Sequence, residues 1–464
     1  MINWSTRVFE IITVGVFAIA CILGAFSPPW ALALVMSMYA FEQALQASSG
    51  IFLRILPLAN VCVAASAATC AFRCILSQNR PFIGYITSVW IGVATLLLWS
   101  AISLLWTPAY EAALGLTTWG LPYVILFMVI SPILIDELVV FEKFFRAFLI
   151  LGSIICAIIL TNPQFTFLSG RLGVNLDALV RTNPLAMGEL GGTLMLVAAL
   201  FQLGFKSFFF NILRIGAFFL GAILALQSGS RGQIVFAVIL SVAFYPLSTK
   251  VKNLLGFLGT SVGLLILVPL VLLIAQKILG SAEIRRWDAD VIAGGTSVRI
   301  ANVLDLFNAF LHHPAAWFIG LGSNAFTAIS AANSEPYSHV LFVDVLTELG
   351  IPMFILLAII LSITTRDARW LFRRFANDPI ARASISVLLA LLAYQIFLVN
   401  KQGYLWAATS FYFYVVAITR LRLRTEFADS ESDVFFDGES TSQEELTDGV
   451  SFDEAHYDSE TQLR

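Results

Sequence analysis

In a chain of 464 residues that is 59% hydrophobic and only 12% charged, with a mean hydropathy of +0.86, a soluble globular domain is excluded. The net charge of −3 conceals a division: of 30 acidic and 27 basic residues, positions 425–464 hold 13 and one, which leaves 17 and 26 for residues 1–424. A basic body and an acidic tail are therefore separate units, and nothing in the composition speaks for nucleic acid as a partner.

Apolar runs fall near 8–26, 29–46, 51–72, 83–106, 114–135, 140–160, 185–204, 208–226, 232–248, 254–278, 338–363, 382–400 and 403–420. Each approaches the ~20 residues that cross a hydrocarbon core of ~30 Å as a helix. In lipid every backbone polar group must be satisfied inside the fold, and helices do this within one segment. Residues 1–424 are thus expected to form an all-α, polytopic membrane domain of about 12 transmembrane helices. The first three runs are the weakest, since they carry Glu42 and Arg54 and are joined by short links. No cleavable signal is evident, and the run after Arg7 reads as a retained first span. The five cysteines, Cys21, Cys62, Cys70, Cys74 and Cys156, all lie in apolar runs and read as small hydrophobes.

Lysine and arginine in short loops orient the chain. Arg366, Arg369, Arg373, Arg374 and Arg382, then Arg420, Arg422 and Arg424, and Lys250 with Lys252 fall on one side if the spans alternate. That side is read as the cytoplasm. The loop before Pro184, the Ser228–Arg231 turn and one large loop at 279–338 then share the opposite face. Thirteen crossings would put the N-terminus outside, so one early run is expected to fall short of a full span. Within the large loop, Asn302–Leu311 has helical apolar spacing, with Val303, Leu304, Phe307, Phe310 and Leu311 toward one side. It reads as a short helix lying on the membrane and ended by His313-Pro314. Residues 425–464, acidic and rich in serine and threonine, bury too little apolar surface to order and read as a disordered cytoplasmic tail, available to a cytoplasmic partner.

Ser228-Gly-Ser-Arg-Gly-Gln233 lies at the seam of two apolar runs. Small residues around Arg231, among them Ser230 and Gly232, let backbone N–H groups approach a ligand. A helix N-terminus adds partial positive charge, and a guanidinium grips phosphate oxygens with two bonds. A single arginine snorkelling at an interface is the plainer alternative. Arg299, in Gly294-Gly-Thr-Ser-Val-Arg-Ile300, is either a second anion ligand or a solvated loop charge. Arg171, Arg181, Arg285 and Arg286 share that face and compete for the role. His339 titrates near neutral pH and can take a proton from a hydroxyl, or can serve as a capping residue. Asp344 and Glu348 follow one helical turn apart, inside the 338–363 run; Glu348 orients a neighbour or pairs with an arginine. His312-His313 and Trp287-Asp-Ala-Asp290 lack metal-ligand spacing, so no metal is expected, and no nucleotide fingerprint points to a cofactor.

Taken in order, these pieces resemble the O-antigen ligase and polymerase superfamily of bacterial envelope enzymes. The resemblance rests on Leu105-Trp-Thr-Pro108, Arg171-Leu-Gly173, Asn183-Pro184, Ser230-Arg231-Gly232 and Arg299 ahead of a helix. It continues through His313-Pro314, Gly320-Leu-Gly322-Ser-Asn-Ala-Phe326 and His339 leading to Glu348-Leu-Gly-Ile-Pro352, across roughly residues 100–355. Val340 and Val303 depart from the asparagine and tryptophan common at those places, and the interval from His-Pro to Gly-x-Gly is about two residues long of the pattern.

The resemblance implies a metal-independent, inverting glycosyltransferase of the bacterial inner membrane, with its active site on the periplasmic face. Its donor would be an undecaprenyl-pyrophosphate-linked oligosaccharide, and its acceptor a growing glycan or lipid A core. Arg231 and Arg299 would hold the departing pyrophosphate and His339 would act on the acceptor hydroxyl, with Ser230, Gly232, Arg171, Arg181 and Glu348 in substrate binding. The loop departures and the extra tail favour a polymerase over a ligase, with a protein O-oligosaccharyltransferase as a third form. Other classes are a flippase for the same lipid-linked glycan, which would favour inverted repeats that the chain lacks, and a scaffold recruiting partners through its tail.

Overall fold

The structure, a computed structural model, describes residues 4–77, 82, 84–168, 171–174, 183–202, 208–249, 255–259, 261–263, 289–330 and 338–447. Helices make up almost all of it. The exception is a hairpin, Phe165–Leu168 antiparallel to Arg171–Val174, in the register Phe165↔Val174 to Leu168↔Arg171. Among the described residues nine helices are long and apolar enough to cross a membrane. They are Arg7–Phe26, Leu58–Ser77, Ser88–Leu105, Tyr110–Ile133, Leu138–Thr161, Phe208–Gln227, Arg231–Ser248, Ile351–Arg374 and Pro379–Gln402. The described residues form an almost wholly helical, multi-pass membrane protein of the all-α class. Pro184–Leu200 is a shorter apolar helix, and most of the 254–278 run lies outside the described residues.

Of the three early runs, the first and third supply helices long and apolar enough to cross a membrane, Arg7–Phe26 and Leu58–Ser77, whereas the second does not form one such helix. Glu10 accepts a hydrogen bond from Ser49 Oγ (2.8 Å) and Thr13 meets Ser48 (3.2 Å) at one end, whereas Ser66 Oγ donates to the Cys21 carbonyl (2.7 Å) toward the other. The second run is a helix broken at Ser37, between Pro28–Met36 and Met38–Ser48. Glu42, the charge that made it doubtful, accepts from Asn60 Nδ2 (3.1 Å) and Gln46 Nε2 (3.1 Å), so its carboxylate is satisfied within the bundle.

Local chemistry sets several helix starts. Asp378 Oδ1 accepts from the N–H groups of Ile380 and Ala381, with Pro379 at the first helical position. Asn183 does the same for Leu185, with Pro184 behind it. Glycines on Pro184–Leu200 let this helix lie against its neighbours: a Cβ on Gly191 would stand 2.5 Å from the Gly221 carbonyl oxygen, and one on Gly221 2.6 Å from that of Gly191. Pro379–Gln402 and Leu138–Thr161 are the most enclosed spans, and Arg7–Phe26 is mostly outward-facing.

Three expectations are corrected. The 338–363 run is two elements, Leu341–Glu348 and Ile351–Arg374, broken at Gly350. Gly350 has φ 91°, and a Cβ there would meet the Phe318 carbonyl oxygen at 2.7 Å, so Asp344 and Glu348 stand on a short helix outside the span. The surface helix is Ala289–His312, far longer than Asn302–Leu311, and Arg299 lies within it. Its packed face is Asn302, Leu306 and Phe310; Leu304, Phe307 and Leu311 are exposed. Finally, the last helix runs from Thr409 to Thr447, so residues 425–447 are helical rather than disordered. Extending a helix already nucleated costs far less than starting one. The first turns beyond the span are tied by Arg422 to Glu426 (2.9 Å) and by a two-bond pair of Arg374 with Asp429 (both 2.9 Å).

Candidate functional site

The Phe208–Gln227 and Arg231–Ser248 helices are joined by a turn of three residues. Gly229 sits at φ 67°, a conformation that costs an L side chain about 1–2 kcal/mol, and so makes the turn this tight. Ser228 Oγ donates to the Ala225 carbonyl (2.7 Å) and accepts from Ser230 N–H (3.3 Å). Ser230 is the N-cap, but its side chain does not cap the helix, so the first-turn N–H groups at Arg231 and Gly232 point outward without a side-chain acceptor. Among the described residues Arg231 pairs with no carboxylate, and its Nη1 is buried with no hydrogen-bond partner.

Two more cations converge on this turn. Lys401, at the end of Pro379–Gln402, donates from Nζ to Ser230 Oγ at 3.5 Å. A Cβ on Gly232 would come within 2.6 Å of that Nζ, so the glycine makes the approach possible. Lys401 feels the charges of both Arg299 and Arg231, and Arg231 that of Arg299. Arg299 is exposed on the Ala289–His312 helix. Three like charges near one another, with no anionic side chain paired to them among the described residues, repel one another.

The helix that follows His339 is tied to the neighbour of Lys401: Asn400 Oδ1 accepts from Phe342 N–H (3.1 Å) at the start of Leu341–Glu348. His339 is half-buried and has φ 70°, a strained backbone for a residue with a side chain. A local clamp holds it: Ser338 Oγ donates to Asp344 and accepts from Val340 N–H (3.1 Å). Burial pushes the Asp344 carboxyl up to about 7, despite the opposing Ser338 hydrogen bond. Burial, and then the charge of Asp344, raise Glu348 well above the usual carboxylate range.

The Glu348 carboxylate is engaged by the protein itself, accepting from Asn324 N–H (2.8 Å) and Phe326 N–H (3.3 Å). It pins the Gly320–Phe326 turn rather than facing the cations. Leu321 N–H donates to the Thr347 carbonyl (2.9 Å) and Gly322 N–H to that of Glu348 (3.0 Å). Across the turn, Trp106 Nε1 donates to the Gly320 carbonyl (3.2 Å) and Thr107 Oγ1 to that of Ser323 (2.7 Å). A Cβ on Gly322 would stand 2.5 Å from Thr107 Cα. The Trp-Thr-Pro, Gly-x-Gly and Glu-Leu-Gly-Ile-Pro elements, far apart in sequence, thus form one packed scaffold under His339.

Arg171 opens the second strand of the hairpin, half-buried; among the described residues no hydrogen bond or ion pair joins it to the cationic cluster. Arg181 lies outside the described residues, as do Arg285 and Arg286. His312 and His313 each direct Nδ1 at a carbonyl one turn back, Asn308 (2.7 Å) and Ala309 (2.8 Å), so they act locally at the helix end. Lys401 was not among the residues expected from sequence. Its signal is a lysine at the end of an apolar run, on the face shared by Arg231 and Arg299. Together these observations define a multi-pass helical membrane protein that carries a cluster of Arg231, Arg299 and Lys401 and, on a neighbouring segment, a histidine with a strained backbone. No protein-family model matches the chain, and no curated protein does.

Proposed function

We propose that this protein is an inner-membrane glycosyltransferase of the O-antigen ligase and polymerase type, acting on a polyprenyl-pyrophosphate-linked oligosaccharide at the periplasmic face. The observation that carries the reading is the cluster of Arg231, Arg299 and Lys401, with no carboxylate partner among the described residues and a buried, unpartnered Nη1 on Arg231. Such a site suits an anion of more than one charge, and a lipid pyrophosphate is that anion at a membrane surface. The periplasmic reading is supported by Lys143, Arg146, Arg366, Arg369, Arg373, Arg374, Arg422 and Arg424 toward the other end of the bundle, the pattern of a cytoplasmic face.

In the reaction, an acceptor hydroxyl attacks the anomeric carbon of the donor from the face opposite the pyrophosphate. A new C–O glycosidic bond forms as the bond from that carbon to the pyrophosphate oxygen breaks, with inversion. The electron pair leaves on the pyrophosphate, where the three cations and the Arg231 helix N-terminus stabilise it. His339 takes the acceptor proton. Ser338 and Asp344 fix its backbone, and Glu348 acts through the turn it pins. Cations gathered at one end, rather than near mid-bilayer, support transfer over a flippase.

The test is to substitute Arg231→Ala, Arg299→Ala and His339→Ala separately and follow surface glycan together with lipid-linked precursor. The reading expects lost glycan and accumulated precursor at normal protein abundance. Normal glycan from all three would sink it. Single units reaching the acceptor without long chains would mark a polymerase rather than a ligase.

A further inference from the structure

Beside the cationic cluster the bundle holds a partly open cavity of about 290 Å³, near the low end of the ~300–1,000 Å³ typical of small-ligand pockets. Its wall includes Tyr39, Trp119, Tyr123, Glu189, Gln395 and Gln402 and, among the described residues, no lysine, arginine or histidine. The partition from the anion site is thin: Gln233 Nε2 donates to Gln402 Oε1 (3.2 Å), Gln233 closes the Ser228–Gln233 turn, and Gln402 follows Lys401. Helix Pro184–Leu200 approaches closely here because position 188 is glycine; a Cβ there would collide with Gln233 and Ser228.

The chemistry of the wall is ordered. Gln395 Nε2 donates to Glu189 Oε1 (2.8 Å), which orients the carboxylate. Asn60 Nδ2 donates to Tyr123 OH (2.8 Å), and the Tyr39 and Tyr123 rings lie 5.4 Å apart at 42°. A Cβ on Gly120 would stand 2.6 Å from Trp406 Cβ, so the glycine lets that indole close the wall. Aromatic faces beside one carboxylate and several amides would not suit an anion. They suit a ring that has apolar C–H faces and hydroxyls around its edge.

We infer that this cavity is a saccharide subsite, which takes a neutral sugar ring of the glycan whose pyrophosphate-bearing end, or whose acceptor end, meets the cationic cluster. The inference rests on the glycosyl-transfer reading for its substrate, but its test does not depend on turnover. Glu189 and Gln395 accept and donate to ring hydroxyls, and the aromatic wall covers the ring face.

The full-length protein in lipid nanodiscs is titrated with neutral methyl glycosides of hexoses and N-acetylhexosamines, and binding is read from tryptophan fluorescence, since Trp119 and Trp406 line the cavity. At least one glycoside is expected to saturate the signal. Ala186→Phe, which fills the cavity, and Glu189→Gln should each weaken binding by roughly tenfold or more. Gln395→Leu, which frees Glu189 without adding bulk, should do the same and guards against a filled variant that fails to fold. Absence of binding by every glycoside, or equal binding by wild type and these variants, overturns the subsite. In a reconstituted reaction the variants should raise KM for one substrate: for the acceptor alone if the ring belongs to it, for the donor alone if not. A wild type that transfers glycan yet binds no glycoside overturns the cavity and leaves the transfer reading standing. A wild type that binds glycoside yet transfers nothing does the reverse.

Discussion

Lys401→Met separates binding from folding at this site. Methionine keeps the length and apolar character of the stem and deletes the charge. Lys401 makes one long hydrogen bond, 3.5 Å to Ser230 Oγ, and stands against the charges of Arg231 and Arg299. A charge-assisted hydrogen bond contributes about 1.5–3 kcal/mol. A unit charge ~5 Å from an anionic oxygen, at an effective dielectric of ~20, contributes ~3 kcal/mol before partial exposure reduces it. Both routes lead to ~2 kcal/mol, or roughly a 30-fold loss in transfer from a polyprenyl-pyrophosphate donor. The folded protein meanwhile sheds like-charge repulsion, so its unfolding temperature should hold or rise. Initial rates in nanodiscs and thermal unfolding of the same preparation give the two numbers. Unchanged rates, or a rate loss accompanied by a matching fall in unfolding temperature, would refute the reasoning.

Three other outcomes follow from the geometry. His339 sits at φ 70°, so His339→Gly should be more stable than His339→Ala by about 1 kcal/mol while both lose transfer; an alanine variant as stable as the glycine one would remove the strain argument. Burial holds the Asp344 carboxyl near 7, above the unfolded value near 4, so the folded state binds that proton more tightly. The associated stability is fully present below about pH 4 and is lost as pH rises through about 7; Asp344→Asn should flatten that slope in thermal unfolding across pH, and an unaltered slope would contradict it. Glu348→Ala leaves two buried N–H groups, of Asn324 and Phe326, without their acceptor and should cost about 2–4 kcal/mol in denaturant unfolding, with Glu348→Gln intermediate; a neutral alanine would mean that the turn is held by other contacts.

Hydropathy located most of the nine long apolar helices among the described residues, because a helix in lipid must be apolar along its length whatever it packs against. The Ser228–Gln233 turn was legible for a similar reason: an arginine between two apolar runs, flanked by small residues, has few structural uses. The break at Gly350 was not, since apolar residues continue on both sides and only the approach of Phe318 demands a positive φ there. Arg299 reads in the sequence as a loop residue ahead of the surface helix, yet it lies within Ala289–His312 together with Gly294 and Gly295. Lys401 and the Glu189 cavity depend on the packing of Pro379–Gln402 against Pro184–Leu200 and Arg231–Ser248, contacts that residue spacing along one helix does not encode. The helix past residue 424 was hidden by acidic composition, which describes a free tail but not one grown from a preformed helix end.

The central claim is that Arg231 and its neighbours hold the pyrophosphate of a lipid-linked sugar as it leaves. The most direct measurement combines purified protein, a polyprenyl-pyrophosphate-linked oligosaccharide and a glycan acceptor in nanodiscs, with free polyprenyl pyrophosphate and new glycosidic linkage quantified together. The account predicts that wild type forms both in equal amounts, that the new linkage has inverted anomeric configuration, and that Arg231→Ala loses both by about a hundredfold or more. A donor left intact by the wild type, or consumed equally well by Arg231→Ala, would contradict it.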